Sequence, residues 1–258
     1  MLYKKFLIIA YLGCRIYNML NEFSRSELLL GEDKVSLLKH KRVAVFGVGG
    51  VGGYVVEGLA RTGVGSLDLI DNDTVSLTNI NRQIIALHST IGKDKVEVMR
   101  DRVLDINPNC KVNIHKTFYL PETAGEFDFS SYDYIVDAID TVAGKLMLIE
   151  EAKRCGTPII CSLGAGNHLD PLSFKVSDIS KTSMCPLAKV MRHELKKRNI
   201  KDVKVVYSTE EPMRAQDGTR IRSGEEVSAK RSIPGSIAYV PSVVGLIICS
   251  EVIKDLTK

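Results

Sequence analysis

The chain has 258 residues, of which 45% are apolar and 26% charged, with a formal net charge of +4. That is ordinary globular composition, ample for a large buried core, and it argues against disordered, collagen-like and multi-span membrane proteins. The six cysteines (14, 110, 155, 161, 185 and 249) form no C-x-x-C pair and no regular framework, which argues against a zinc ribbon and for a reducing cytoplasm.

Residues 1–18 open with Lys4-Lys5 and an apolar run from Phe6 to Gly13. The run is far shorter than the about 20 residues that span a bilayer. Arg15 interrupts it and no small-residue cleavage site follows. The segment reads as an N-terminal extension ahead of a start at Met19, with weak peripheral membrane association or a packed helix as open alternatives. No integral span is expected.

Strand and helix signals then alternate. VAVFG (43–47) is a strand ending in glycines, and a helix is expected from Gly50 to Arg61. SLDLID (66–71) is a second strand, followed by a polar loop and a helix from about Lys93 to Leu104 that stops before Asn107-Pro108. KVNIH (111–115) and YDYIVDAID (132–140) read as strands, and Val142–Cys155 as a helix capped by Gly156. TPIICSLG (157–164) is another strand, Pro186–Arg198 a helix and VKVVYS (203–208) a strand. Residues 209–235 read as a long mobile loop, and an apolar helix from Pro241 to Leu256 closes the chain. The alternation implies an α/β fold with a doubly wound, mostly parallel sheet, whose ligands bind beyond the carboxyl ends of the strands.

Gly47-Val48-Gly49-Gly50-Val51-Gly52 fits G-x-G-x-x-G between a strand and a helix, so backbone N–H groups can approach phosphate at a helix N-terminus. Asp71 ends the next strand, where an acid can hold ribose hydroxyls. This Rossmann-like pattern alone fits NAD, FAD, S-adenosylmethionine or ATP. The following residues favour ATP. Asn79, Arg82 and Gln83 share one polar segment, Lys95 starts a helix, and Asp137 and Asp140 lie at the end of the 132–140 strand. Cationic side chains neutralise a triphosphate, and a strand-end carboxylate can hold Mg²⁺. Asp137 alone reads as structural.

From Phe23 to about Leu172 the chain resembles the ubiquitin-activating-enzyme-like adenylating family. The residues that carry the resemblance are FSRSELLLG (23–31), GVGGVG (47–52), LIDNDTV (69–75), TNINRQ (78–83), IGKDK (91–95), INP (106–108) and DAID (137–140). Within that family it is most similar to the tRNA threonylcarbamoyladenosine dehydratases, through GLARTGVG (58–65), NINRQIIAL (79–87), KVEVM (95–99), the GAG turn (164–166), DP (170–171), DISKT (178–182) and CPLAK (185–189).

The resemblance implies a reaction: a carboxylate attacks the α-phosphate of ATP and forms an acyl-adenylate. In the dehydratases that carboxylate belongs to the threonylcarbamoyl group on the adenosine beside the tRNA anticodon, and the side chain's own nitrogen then closes the ring. It also implies roles, position by position. Gly47, Gly49, Gly50 and Gly52 cradle the nucleotide and Asp71 holds its ribose. Asn79, Arg82 and Gln83 contact ATP, and Lys95 binds phosphate. Asp140 stands at the Mg²⁺ or phosphate end. Arg25 reaches a partner subunit's phosphates, which requires a homodimer; a plain surface charge is the alternative. Relatives of the family also suggest a sulfur-transfer protein partner.

The absence of paired C-x-x-C motifs lowers the odds of a ubiquitin-like sulfur carrier as substrate, but adenylation of such a protein's C-terminal glycine stays as the second reading. A non-catalytic nucleotide-binding or NAD-dependent protein is the third. Cys185 reads as a buried or loop cysteine, and Cys161 as strand core. Independently of the resemblance, residues 181–232 carry 13 Lys/Arg against 7 Asp/Glu. Arg192, Lys196, Lys197, Arg198, Lys201 and Lys204 suit contact with a phosphate backbone, or else form a solvated helix face. The expected organisation is therefore an extension at 1–18, an ATP-binding adenylating domain at 19–180, and at 181–258 a basic substrate-binding region, loop and closing helix of the same domain.

Overall fold

The computed structural model describes residues 20–213 and 234–258. The expectations for residues 1–18, and those for most of the 209–235 loop, lie outside the described residues.

Two short helices, α1 (Ser24–Leu30) and α2 (Glu32–Leu38), precede the sheet and were not among the expected elements. Then follow β1 (Arg42–Phe46), α3 (Gly52–Arg61), β2 (Ser66–Ile70), α4 (Lys95–Ile106), β3 (Lys111–His115), β4 (Tyr134–Asp137), α5 (Val142–Cys155) and β5 (Ile159–Ser162). The C-terminal part supplies β6 (Phe174–Asp178), α6 (Pro186–Lys197), β7 (Lys204–Ser208) and α7 (Tyr239–Leu256).

The seven strands form one sheet in the order β3-β2-β1-β4-β5-β7-β6. Every pairing is parallel except β6 with β7. The chain winds outward from β1 in one direction through β2 and β3, then returns to β4 and β5 on the other side. The crevice at that reversal, between the carboxyl ends of β1 and β4, is where such sheets take ligands.

Strand alternation divides the core in two. Val43 and Val45 of β1 face a layer containing α3, α4 and α7, while Ala44 and Phe46 face a layer containing α5 and α6. Around Phe46 the second layer is aromatic, with Tyr119, Phe127 and Phe129 at ring-centroid distances of 5.2, 5.4 and 5.8 Å. Helices α3 and α7 touch through small residues. A Cβ at Gly58 would meet Cys249 Sγ at 2.6 Å, and one at Gly245 would meet the Val51 carbonyl at 2.5 Å. That contact holds the start of α7 against the glycine loop. No helix among the described residues is long and apolar enough to cross a membrane.

Two expected strands are shorter than the apolar runs that suggested them. The 132–140 run leaves the sheet at Asp137, because its carboxylate accepts the Ile139 N–H at 3.3 Å and turns the chain. Asp140 is thus in a turn before α5, three residues past the strand. The 157–164 run pairs only over Ile159–Ser162. Strand β6 was not anticipated: it is an edge strand, half exposed, whose FKVSD sequence lacks the apolar density of its neighbours.

Candidate active site

The glycine loop leaves β1 at Gly47, whose φ of +91° is open to glycine at little cost. A Cβ there would meet the Ala138 carbonyl oxygen at 2.7 Å, and a Cβ at Gly52 would lie 1.8 Å from the Gly47 carbonyl oxygen. These two glycines let the loop double back and let the turn after β4 press against it. The Ala138 N–H closes the contact by donating to the Phe46 carbonyl at 2.8 Å.

Asp71 stands just past β2. Its Oδ2 accepts the Val48 N–H of the glycine loop at 2.7 Å, and its Oδ1 accepts the Asp73 N–H at 2.9 Å. Burial pushes its pKa above the usual carboxylate value; Lys95 and the two N–H groups offset this only in part. Lys95 opens α4 and is itself buried, with Nζ 2.6 Å from Asp73 Oδ2 and 4.0 Å from Asp71 Oδ1. The lysine therefore sits between two carboxylates.

The 79–83 segment forms the other wall. Asn79 is buried; its carbonyl accepts the N–H groups of Arg82 and Gln83, and its Oδ1 accepts the Ser76 N–H at 3.1 Å. Gln83 is buried with its Oε1 lacking a hydrogen-bond partner among the described residues, and its Nε2 lies 3.9 Å from where a Cβ on Gly49 would be. Arg82 donates to the Thr78 carbonyl at 2.8 Å and to Asn81 Oδ1 at 3.0 Å, but has no carboxylate partner among the described residues. Burial lowers its pKa. Its Cγ and the ring of Pro241 from α7 flank Gly50, within 3.4 Å of the Cβ position. Among the described residues, a partly desolvated guanidinium without a counter-ion and a buried amide oxygen without a partner thus meet at the glycine loop. Such a combination favours an anionic, hydrogen-bonding ligand.

Asp140 is exposed and makes no hydrogen bond or ion pair with the described residues. No group of three or more His, Cys, Asp or Glu among them could hold a metal alone. One hard, open carboxylate fits a Mg²⁺ ion bound mostly by nucleotide phosphates and water.

The fold thus brings Gly47–Gly52, Asp71, Asn79, Arg82, Gln83 and Lys95 to one face, with Asp140 on the turn that adjoins it. It does not bring Arg25 there. Phe23, two residues earlier, lies beside Gly63, where an added Cβ would meet its ring at 3.5 Å, beyond the far end of α3 from the glycine loop.

Of the six residues in the basic cluster expected downstream, three are ion-paired with the described residues. Arg198 pairs with Glu194 and Glu150, Lys197 with Glu194, and Lys204 with Asp255 and Glu251. Arg192 donates to the Thr182 carbonyl and hydroxyl. Only Lys196 and Lys201 remain exposed without an ion pair to the described residues. Cys185 is buried; its Sγ takes the Ala188 N–H at 3.4 Å and donates to the Leu163 carbonyl at 3.3 Å, capping α6. Cys161 lies fully buried in β5, its thiol held well above its usual pKa by burial and then by Asp137. Lys145, which no sequence motif singled out, is 1% exposed beside Asp137. The one available signal was its place on the apolar, sheet-facing side of α5.

Comparisons with known proteins bear on this geometry. A model of the ThiF family matches residues 23–258. The chain is 45% identical over 244 residues to the tRNA threonylcarbamoyladenosine dehydratase of Bacillus subtilis (strain 168), covering 93% of this chain and 96% of that protein. It is similar to the crystal structure of the Escherichia coli tRNA N6-threonylcarbamoyladenosine dehydratase in complex with ATP, with a TM-score of 0.80, 34% identity, and coverage of 91% of this chain and 93% of that one. Similarity to the probable adenylyltransferase/sulfurtransferase MoeZ of Mycobacterium tuberculosis is 34% over 131 residues, covering 51% of this chain and 33% of that protein.

Proposed function

The chain belongs to the ThiF family, and we propose that it dehydrates the threonylcarbamoyladenosine beside the anticodon of tRNA in an ATP-dependent reaction. One observation carries this choice within the family. Likeness to the Bacillus subtilis dehydratase runs over 93% of the chain, enough to include the β6–α6–β7 region, whereas likeness to the adenylyltransferase/sulfurtransferase MoeZ covers 51%. We also read 181–258 as continuous with the nucleotide domain, because β7 pairs with β5.

In this reading ATP lies over the glycine loop, its phosphates near the backbone N–H groups there and its ribose hydroxyls on Asp71. Lys95 exchanges part of its contact with Asp73 for phosphate. Gln83 and Asn79 orient the nucleotide. Arg82 neutralises charge as the substrate carboxylate attacks the α-phosphorus and pyrophosphate leaves. The acyl-adenylate then loses AMP when the side-chain nitrogen attacks the activated carbonyl. No enzyme nucleophile is required, so catalysis is positioning and electrostatic neutralisation. Asp140 would hold Mg²⁺, which supplies charge neutralisation at the phosphates.

Arg25 cannot serve its own chain's site from the far end of α3, so we assign it to the site of a second copy in a homodimer. Its neighbours Leu28 and Leu29 are 86% and 89% exposed, as expected of a surface that a partner covers. The free thiols among the described cysteines suit the cytoplasm. Cys185 caps a helix, which argues against a part in sulfur transfer.

The test is isotope exchange between pyrophosphate and ATP, run with tRNA bearing the linear modification, with unmodified tRNA, and with a ubiquitin-like carrier protein. Exchange that needs the modified tRNA supports the proposal. Exchange that needs the carrier protein transfers the assignment to protein adenylation.

A further inference from the structure

Lys145 and Asp137 form an ion pair at 3.0 Å, with side chains 1% and 0% exposed. Lys145 Nζ also donates to the Ser162 carbonyl at 2.7 Å. The pair stands at the carboxyl ends of β4 and β5, directly beneath the turn that carries Asp140. Replacing such a pair by well-packed apolar residues is commonly neutral or stabilising, so stability alone does not explain a lysine here.

Its contacts suggest another role. Asp137 Oδ1 receives both Lys145 Nζ and the Ile139 N–H. The Ile139 side chain fits where Gly144 lacks a Cβ, since a Cβ there would meet Ile139 Cδ1 at 2.7 Å. On the other side, Ala138 is fixed to Phe46 by its N–H and lies against Gly47 and Gly52. The Ser162 carbonyl extends the brace to β5, two residues before the Gly164 turn. One buried ammonium therefore links the glycine loop, the Asp140 turn and the end of β5. Asp137 Oδ2 keeps no hydrogen-bond partner, which leaves Lys145 as the sole cation answering that carboxylate among the described residues.

We propose that Lys145, through Asp137, is a positioning residue that fixes the Asp140 turn against the glycine loop for adenylation. The proposal rests on the adenylation reading above. A misplacement of about 1 Å at such a turn can cost about 100-fold in rate. The ribose side of the site, built on Asp71 and β2, lies outside the brace.

The test uses the full chain, as Lys145→Met and as the neutral pair Lys145→Met with Asp137→Asn, which leaves no buried charge uncompensated. Folding is checked by circular dichroism melting. AMP affinity is measured calorimetrically without metal, and pyrophosphate exchange is titrated with Mg²⁺ at fixed ATP. In a folded variant, AMP affinity stays within about twofold, the half-saturating Mg²⁺ rises about tenfold, and maximal exchange falls about 30-fold. Unchanged exchange and Mg²⁺ dependence in the folded neutral pair would overturn the proposal. So would failure of both variants to fold, or equal loss of AMP and Mg·ATP binding. If the unaltered chain shows no exchange, the adenylation reading falls and this proposal falls with it.

Discussion

Asp68 and Asp71 lie three residues apart on the same strand path, yet the molecule treats them in opposite ways. Asp68, in the middle of β2, has no exposed surface and is ringed by donors: Arg42 at 2.8 Å through two nitrogens, Asn113 at 3.1 Å and His115 at 3.2 Å. Burial alone would raise its pKa, but these bonds outweigh it and hold the carboxyl at about 2. Asp71, just past the strand end, is partly buried without comparable compensation, and its pKa is raised. The mid-strand carboxylate is saturated and serves the fold. The strand-end carboxylate keeps unused accepting capacity, which a ligand can take up. Arg82 without a counter-ion and Gln83 with a bare Oε1 among the described residues belong to the second kind; Arg198 and Lys204, each with two acids, belong to the first.

The contrast predicts which substitutions remove activity and which remove stability. The largest effect is expected at Arg82. Arg82→Ala should lower kcat/KM for pyrophosphate exchange about 1,000-fold, the scale of losing one preorganised charge on a transition state. Its melting temperature should stay within about 3 °C, since only two bonds to neutral groups are lost.

The two aspartates should then separate. Asp68→Asn removes a buried charge partner of Arg42 and should cost about 2 kcal/mol. Melting would fall by about 4–8 °C, while the folded fraction keeps its ATP affinity. Asp71→Asn should do the reverse, weakening ATP binding by about 10- to 30-fold, as expected for charge-assisted bonds to hydroxyls, with melting within about 3 °C. Calorimetry and thermal melts on the same preparations check both; equal stability losses in the two variants would erase the contrast.

Acid should separate them as well. Asp68 has a lowered folded pKa, so its stabilising contribution is complete above the ordinary value of 3.8 and disappears as pH falls through about 2. Asp71 has a raised pKa, so it protonates at a higher pH than an ordinary aspartate and stops accepting ribose hydroxyls there. ATP affinity should therefore decline on acidification before the Asp68 contribution to stability is lost. Nucleotide titrations and urea melts across the same pH series would show one fading ahead of the other.

The smallest effects concern tRNA. Arg198→Ala and Lys204→Ala, whose charges are already answered, should change tRNA affinity less than about twofold. Lys196→Ala and Lys201→Ala should each weaken it about threefold and reduce the salt dependence by about one counter-ion. Filter binding over a salt series distinguishes the two groups.

How much of this could be read from the sequence follows the same division. The glycine loop, Asp71 and the 79–83 segment are local patterns: short turns and strand ends whose residue types are set by backbone geometry, so they were legible. The alternation of strands and helices was legible for the same reason. What escaped depends on contacts between distant segments. The neutralisation of Lys204 comes from Glu251 and Asp255, 47 and 51 residues later, and that of Arg198 involves Glu150, on a different helix. The partner of Lys145 was not legible, because only the register of α5 over β4 and β5 brings it to Asp137. Strand β6 escaped because an edge strand needs few apolar residues, and the run at 132–140 looked longer than its strand because Asp137 uses its side chain to end it.

We propose that these groups serve ATP-dependent dehydration of a modified tRNA. The most direct test is mass spectrometry of nucleosides from tRNA bearing the linear threonylcarbamoyl modification, incubated with the purified chain and Mg·ATP beside the Arg82→Ala variant. Loss of one water from that nucleoside, dependent on ATP and absent with the variant, is the predicted result. A nucleoside of unchanged mass, with ATP still consumed, would contradict it.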